Sequence, residues 1–177
     1  KLCCSPEFLI ATGRSMNKEM MKDQYVVLRA MAFLMLHRGE FKDIPALQYR
    51  GDIDDFLARF MVYVNDNAPE KLIVDYENLF IRCMQISYDL LGENGFRFSG
   101  NGIRRPINMP LFEALSYLFS FVPEKIDYTW ASRLILDIES VKEEFDDSRY
   151  FSGNIDSTTS VSFRFDRMDK IINRIQL

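Results

Sequence analysis

Histidine is almost missing from this sequence, and His37 is its only example. One histidine cannot build a histidine-based metal cluster or an HNH-type nuclease centre, and a Ser-His-Asp triad would have to use His37 with no supporting motif. Cysteine is scarce too: Cys3, Cys4 and Cys83, an odd number with no CxxC pair. That excludes a disulfide framework and leaves adjacent Cys3 and Cys4 without companions for zinc. Cys83 lies in an apolar helical pattern and reads as a buried, reduced thiol, so a reducing, cytoplasmic setting is expected. Phosphate-cradling loops are missing as well. There is no GxxxxGK[ST], and "GNG" at 100–102 lacks the third glycine of a dinucleotide fingerprint. No long apolar run exists: "YVVLRAMAFLML" is broken by Arg29 and falls short of the roughly 20 residues that cross a bilayer. No membrane partner is expected, and no signal-peptide pattern is visible. A net charge of -4 argues against a surface wholly devoted to a polyanion.

What is present is core-forming material. Of 177 residues, 47% are hydrophobic and 14% aromatic, enough for one domain with a real interior. Apolar residues recur at helical spacing almost throughout. The pattern predicts helices from about Lys18 to Arg38, from Asp52 to near Asn65, and from Pro69 to Leu91. It predicts others from Asn108 to Val122, from Tyr128 to Phe145, and from near Ser160 to the C-terminus. Asp52, Asn108 and Asp127 are placed to cap, and Pro110 to open a first turn. The expectation is an all-α fold of about six amphipathic helices in an orthogonal or bundle-like array, spanning residues 1–177 as one domain. Phe33, Phe56, Phe60, Phe80, Phe112 and Phe119 are candidates for its core. The charge run "DIESVKEEFDD" reads as a solvated face.

No catalytic constellation emerges. The pairs Asp54/Asp55, Glu143/Glu144 and Asp146/Asp147 point about 100° apart on a helix and do not converge on one metal. His37 falls at a helix C-terminus, where a cation suits the dipole. Two basic features stand out. Arg97, Arg104 and Arg105 flank a glycine-containing loop that runs into the helix capped by Asn108. Guanidinium forks and a helix N-terminus suit phosphate or a docking partner. Equally, one arginine can pair with Glu113 or another acid while the rest are solvated. Arg164, Arg167, Lys170 and Arg174 recur at steps of three and four on the last helix, opposite Val161, Phe165, Met168, Ile172 and Ile175. They form either a phosphate-facing stripe or a solvated face, and Asp166 and Asp169 between them dilute the charge. The candidate nucleic-acid or domain-docking residues are therefore Arg97, Arg104, Arg105, Asn108, Arg164, Arg167, Lys170 and Arg174. No catalytic or metal-ligating residue is assigned.

Three ordered segments, "MMKDQYVVLRAMAFLML", "YRGDIDDFLARFM" and "ENGFRFSGNGIRRPINMPLFEAL", carry a resemblance. Together they resemble the helical, later portion of the family named for the N-terminal domain of GmrSD-type restriction endonucleases, the ParB-like nuclease domain proteins. The matching positions are Arg29, Phe33, Tyr49, Gly51, Asp52, Asp55, Phe56, Phe96, Arg97, Arg105, Pro106, Asn108, Phe112 and Glu113, and the likeness covers about Arg14 to Phe121. The resemblance implies a bacterial parent protein in restriction or phage defence, one that uses a nucleotide and a divalent metal. That chemistry belongs to a ParB-like domain with a DGQQR-type motif, which this sequence does not contain. The chain starts at Lys1 and not at Met, so it is expected to be a fragment that follows such a domain, with that domain as partner and DNA as a second one. No cofactor is expected in the chain itself. Two readings stay open: a non-catalytic helical module of a DNA-processing protein, or a helical protein-interaction or scaffolding domain with no nucleic-acid role.

Overall fold

Proline and short polar side chains set where the helices begin. The computed structural model describes residues 1–16, 21–98, 104–123, 125, 127–146 and 153–175. Ser5 accepts from the Phe8 amide at 3.2 Å and Pro6 fills the first turn of α1 (Pro6–Ala11). α2 (Lys22–His37) is followed by Gly39, whose φ of +86° is the left-handed conformation glycine adopts freely. Asp52 caps α3 (Ile53–Asp66) through the Asp55 amide at 3.0 Å, with Asp54 and Asp55 in the favourable first turn. Pro69 precedes α4 (Glu70–Leu91). Asn108 caps α5 (Met109–Phe119) through the Leu111 amide at 2.9 Å. Asp127 does the same for α6 (Tyr128–Asp146) through Trp130 at 2.8 Å. Ser157 caps α7 (Thr158–Ile175) through Ser160 at 3.1 Å. Short 3-10 turns stand at Leu2–Cys4, Pro45–Leu47 and Gly92–Asn94. Among the described residues there is no strand, and the fold is an all-α bundle.

α5 is the axis of the molecule. Every residue from Pro110 to Phe119 is buried, as suits a helix apolar on all sides. It packs against α2, α7 and α4; α1 lies on α4, α3 on α2, and α6 on α7 and α4. Aromatic rings join these layers. Phe33 of α2 meets Tyr49, Phe56 of α3 and Phe165 of α7, with ring centroids 5.2, 5.4 and 5.6 Å away. Phe112 of α5 meets Phe8 of α1, Phe80 of α4 and Phe96, the last at 4.2 Å. All six phenylalanines expected in the core are buried there.

The helix pattern anticipated from periodicity holds, with differences that have physical reasons. α1 is additional: six residues are too few to show a period, and packing on α4 rather than propensity stabilises it. The expected start of the first long helix at Lys18 lies outside the described residues. α7 begins two residues before Ser160 because Ser157, not Ser160, supplies the cap. The charge run on α6 is not wholly solvated. Lys142 is buried and donates to the Asn94 carbonyl at 3.2 Å and to Glu139 at 3.0 Å.

Candidate functional site: a buried charge cluster and the arginine loop

Arg164 is the first correction to the basic stripe. On α7 it sits three residues after Val161 and one before Phe165, in the middle of the buried face, and it is 0% exposed. Arg167, Lys170 and Arg174 lie to one side, where Arg167 pairs with Glu144 at 2.6 Å and Arg174 with Asp137 at 3.2 Å. The four cations therefore do not form one surface.

Arg164 turns inward onto Glu113, a carboxylate carried by the central helix and itself 0% exposed. The Arg164 Nη2 to Glu113 Oε2 distance is 3.2 Å. The other oxygen of Glu113 accepts from Nε of Arg29, which is 2% exposed at the middle of α2. Arg29 reaches on to Asp156, in the turn before α7, with Nη2 to Oδ1 at 2.6 Å and Nη1 to Oδ2 at 3.4 Å. The same Nη1 donates to the Tyr25 hydroxyl at 3.4 Å. Tyr49 donates to the Asp156 carbonyl, and Arg164 Nη1 to the Ile155 carbonyl at 2.6 Å. Two guanidiniums thus meet two carboxylates at the junction of α2, α5 and α7. Of the four charged groups only Asp156, 27% exposed, reaches solvent appreciably.

The cluster shapes its own electrostatics. Burial works against the Arg29 cation, but Glu113 and the hydrogen bonds to Asp156, Glu113 and Tyr25 raise its affinity for the proton above the ordinary arginine value. Arg164 moves the other way, because burial and the like charge of Arg29 outweigh the Glu113 carboxylate. Burial and then the Asp156 charge push the Tyr49 phenol up to about 12.

The structure gives each arginine of the loop a partner within the chain. Residues 99–103 lie outside the described residues. Arg97 is 4% exposed and behaves as a staple. It donates to the Thr12 carbonyl at 3.1 Å, to the Ser15 hydroxyl, to the Arg105 carbonyl and to the Glu93 carbonyl at 3.3 Å. Thr12 follows the last residue of α1, where the helix dipole leaves negative carbonyls that a cation satisfies. Arg104 pairs with Glu93 at 2.9 Å and lies against Gly13, whose φ is +59°. Arg105 pairs with Asp146 at 2.5 Å and covers the Phe98 ring. Of the acids the sequence left open, Arg104 and Arg105 take Glu93 and Asp146 and not Glu113, which Arg29 and Arg164 hold. Asn108 spends its side chain on the cap of α5.

His37 is a second correction. It does not act as a cation for the α2 dipole. Burial, then the nearby Arg164 charge, lowers its pKa to about 3, so it is neutral. Its ring stacks on Phe165 with centroids 3.6 Å apart, and its buried Nε2 has no hydrogen-bond partner among the described residues.

Comparison with family models, curated proteins and solved structures yields no match. Among the described residues, no three His, Cys, Asp or Glu side chains gather where a metal could bind, and no helix is long and apolar enough to cross a membrane. Cys83 is fully buried, and burial pushes its thiol up to about 12, as an inert core thiol requires. One open apolar groove of about 600 Å³ runs between the Pro45–Leu47 turn and α3, lined by Ile44, Leu47, Ala58, Val62 and Tyr63.

Sequence reasoning missed the cluster for an identifiable reason. Arg29 was legible as a break in an apolar run and as one of the positions that carry the resemblance, but not as a buried ion, and Arg164 was grouped with its basic neighbours. The signal was present: Arg29 has apolar residues at three- and four-residue spacing on both sides, and Arg164 has Val161 three residues before it and Met168 four residues after it, which places each charge toward the interior. A buried arginine then demands a buried acid, and Glu113 in "PLFEAL" is the one acid within the most apolar helix.

Proposed function

We propose that this chain is a non-catalytic helical module of a bacterial restriction- or defence-type DNA-processing protein, supporting a ParB-like, nucleotide-dependent nuclease domain that precedes it. One observation carries the reading. The three segments that bear the resemblance, far apart in sequence, converge on a single interior. Arg29 bonds to Glu113, Phe33 packs on Tyr49 and Phe56, and Phe96 packs on Phe112. Residues that recur together in such a pattern then serve the architecture of a support domain rather than a reaction centre of their own. Arg97 and Asn108 fit the same role, since each is spent on holding its loop to a helix end.

Reconstitution tests the proposal. The reading frame upstream of Lys1 is expected to encode a DGQQR-type motif, and nucleotide turnover or DNA cleavage by that segment is expected to need this chain. An unrelated upstream segment, or turnover indifferent to this chain, overturns the proposal. A direct role on nucleic acid is assayed alongside. Arg104→Ala with Arg105→Ala should flatten the salt dependence of any DNA binding by about two phosphate contacts. No change on that double substitution removes these arginines from a DNA surface.

The apolar groove favours the second reading, a protein-interaction domain. Met61 and Val62 of α3 are exposed, and Val62 lines the groove. Light scattering separates the two: self-association that Val62→Glu abolishes supports interaction as the primary role, and a strict monomer argues against it.

A further inference from the structure

Three sulfur-bearing side chains flank α1. Cys3 and Cys4 lie in the 3-10 turn before it, and Met16 lies beyond its C-terminal end. Cys3 and Met16 line one small cavity of about 160 Å³, together with Phe8, Leu9, Arg14 and Asp23. The exposed Cys4 stands beside it, with its Sγ 3.9 Å from that of Cys3, and both are free thiols. That spacing is too long for a disulfide, which needs about 2.05 Å. It does match a shared metal ion. Two sulfurs, each about 2.3 Å from one metal at an angle between tetrahedral and trigonal, stand about 3.8–4.0 Å apart. Backbone bonds hold the donors in place on both sides. Before α1 they run from Cys4 N to Lys1 O at 3.1 Å and from Ser5 N to Leu2 O at 3.0 Å. After it they run from Gly13 N to Ile10 O at 2.9 Å and from Arg14 N to Leu9 O at 2.8 Å. Arg97 secures the second side through the Thr12 carbonyl and the Ser15 hydroxyl. The donor types select the metal. Thiolate and thioether are soft and suit copper(I), whereas structural zinc takes four ligands and calcium or magnesium takes oxygen. The carboxylate in the cavity, Asp23, already has Oδ1 on the Gln24 amide at 2.8 Å. Two thiolates and one copper(I) leave one negative charge, opposite in sign to Arg14, which lines the same cavity.

We propose that Cys3, Cys4 and Met16 form a three-sulfur site for a soft monovalent cation, copper(I). On binding, each thiol releases its proton to solvent and each sulfur gives a lone pair to the metal, and no electron changes hands. Occupancy ties the turn before α1 to the stretch after it, and through Arg97 to the Arg105 carbonyl. The site is independent of the role proposed above, and neither reconstitution of a nuclease nor self-association tests it.

The test uses the full chain and two measurements. First, the chain competes anaerobically for copper(I) with bathocuproine disulfonate, whose copper complex is coloured. The wild type is expected to withdraw one copper per chain. Cys3→Ser and Cys4→Ser should each weaken binding about a hundredfold or more, and Met16→Leu about tenfold. Second, in the wild type, copper(I) should slow hydrogen exchange at the Gly13 and Arg14 amides as the two sides are tied together. A single-cysteine variant that binds as tightly as the wild type, Met16→Leu without effect, or exchange indifferent to copper each overturns the proposal. So does half a copper per chain with a doubled mass in light scattering, the mark of a metal bridging the exposed thiols of two chains. Zinc(II) that displaces copper(I) at equal concentration overturns the choice of a soft cation. Circular dichroism checks that each variant keeps its helices. Cys4 is exposed, so Cys4→Ser keeps the fold, and its result decides the matter if another variant does not.

Discussion

Glu113 is the residue whose loss should be felt most. Its carboxylate is shared by Arg29 and Arg164, and none of the three is more than 2% exposed. Glu113→Gln leaves two buried cations facing an amide and is expected to cost about 3–5 kcal/mol in urea unfolding. A loss below about 1 kcal/mol would mean that water reaches the cluster. Replacing all four, as Arg29→Met, Glu113→Leu, Arg164→Met and Asp156→Asn, should recover most of the loss, since no charge is then left to desolvate. His37 gives a prediction in pH. The unfolded chain protonates it below about 6.5, whereas the folded chain resists until about pH 3. Its contribution is fully present above pH 6.5 and falls away as the pH drops toward 3. Between pH 7 and 5 the unfolding free energy should fall by about 2 kcal/mol through this group, and His37→Phe should remove that slope. A slope unchanged by the substitution would place the titration elsewhere. The residue scale is also where the sequence was least legible. A helix C-terminus suggested a charged histidine, but Phe165 and Arg164, which neutralise it, come from more than a hundred residues away.

At the scale of elements, legibility was high wherever the cause is local. Asp52, Asn108 and Asp127 each cap within three residues, so sequence spacing alone located them. Asn108→Ala should cost about 1 kcal/mol, read from the shift in the urea midpoint. α1 escaped because its stability comes from α4 and from Arg97, which closes its C-terminal end across 85 residues of chain. Arg97→Lys keeps the charge but cannot reach four acceptors at once. It is expected to cost about 2 kcal/mol and to make the 12–16 segment cleavable by protease before the rest of the chain. Uniform protease resistance would deny the staple its role. The basic stripe on α7 failed as an element for a geometric reason: spacing of three and four residues spans enough of the helix to carry Arg164 from the wet side into the core.

The whole molecule is organised as shells around α5. Amide exchange should be slowest in α5, buried along its length, and markedly faster in α6, where Tyr128 and Leu136 are 88% and 70% exposed. Equal protection in the two helices would contradict the shell order. The charge cluster has a consequence for how the chain is made. Synthesis delivers Arg29 first, Glu113 84 residues later, and Arg164 a further 51 residues on. Asp156 and Arg164, one negative and one positive, emerge almost together. A nascent chain that ends before them can form only the first ion pair, and the face of α5 meant for α7 stays uncovered. Assembly of the core therefore waits for the last helix, and a ribosome that stalls before it exposes a sticky, half-closed bundle to chaperones and proteases.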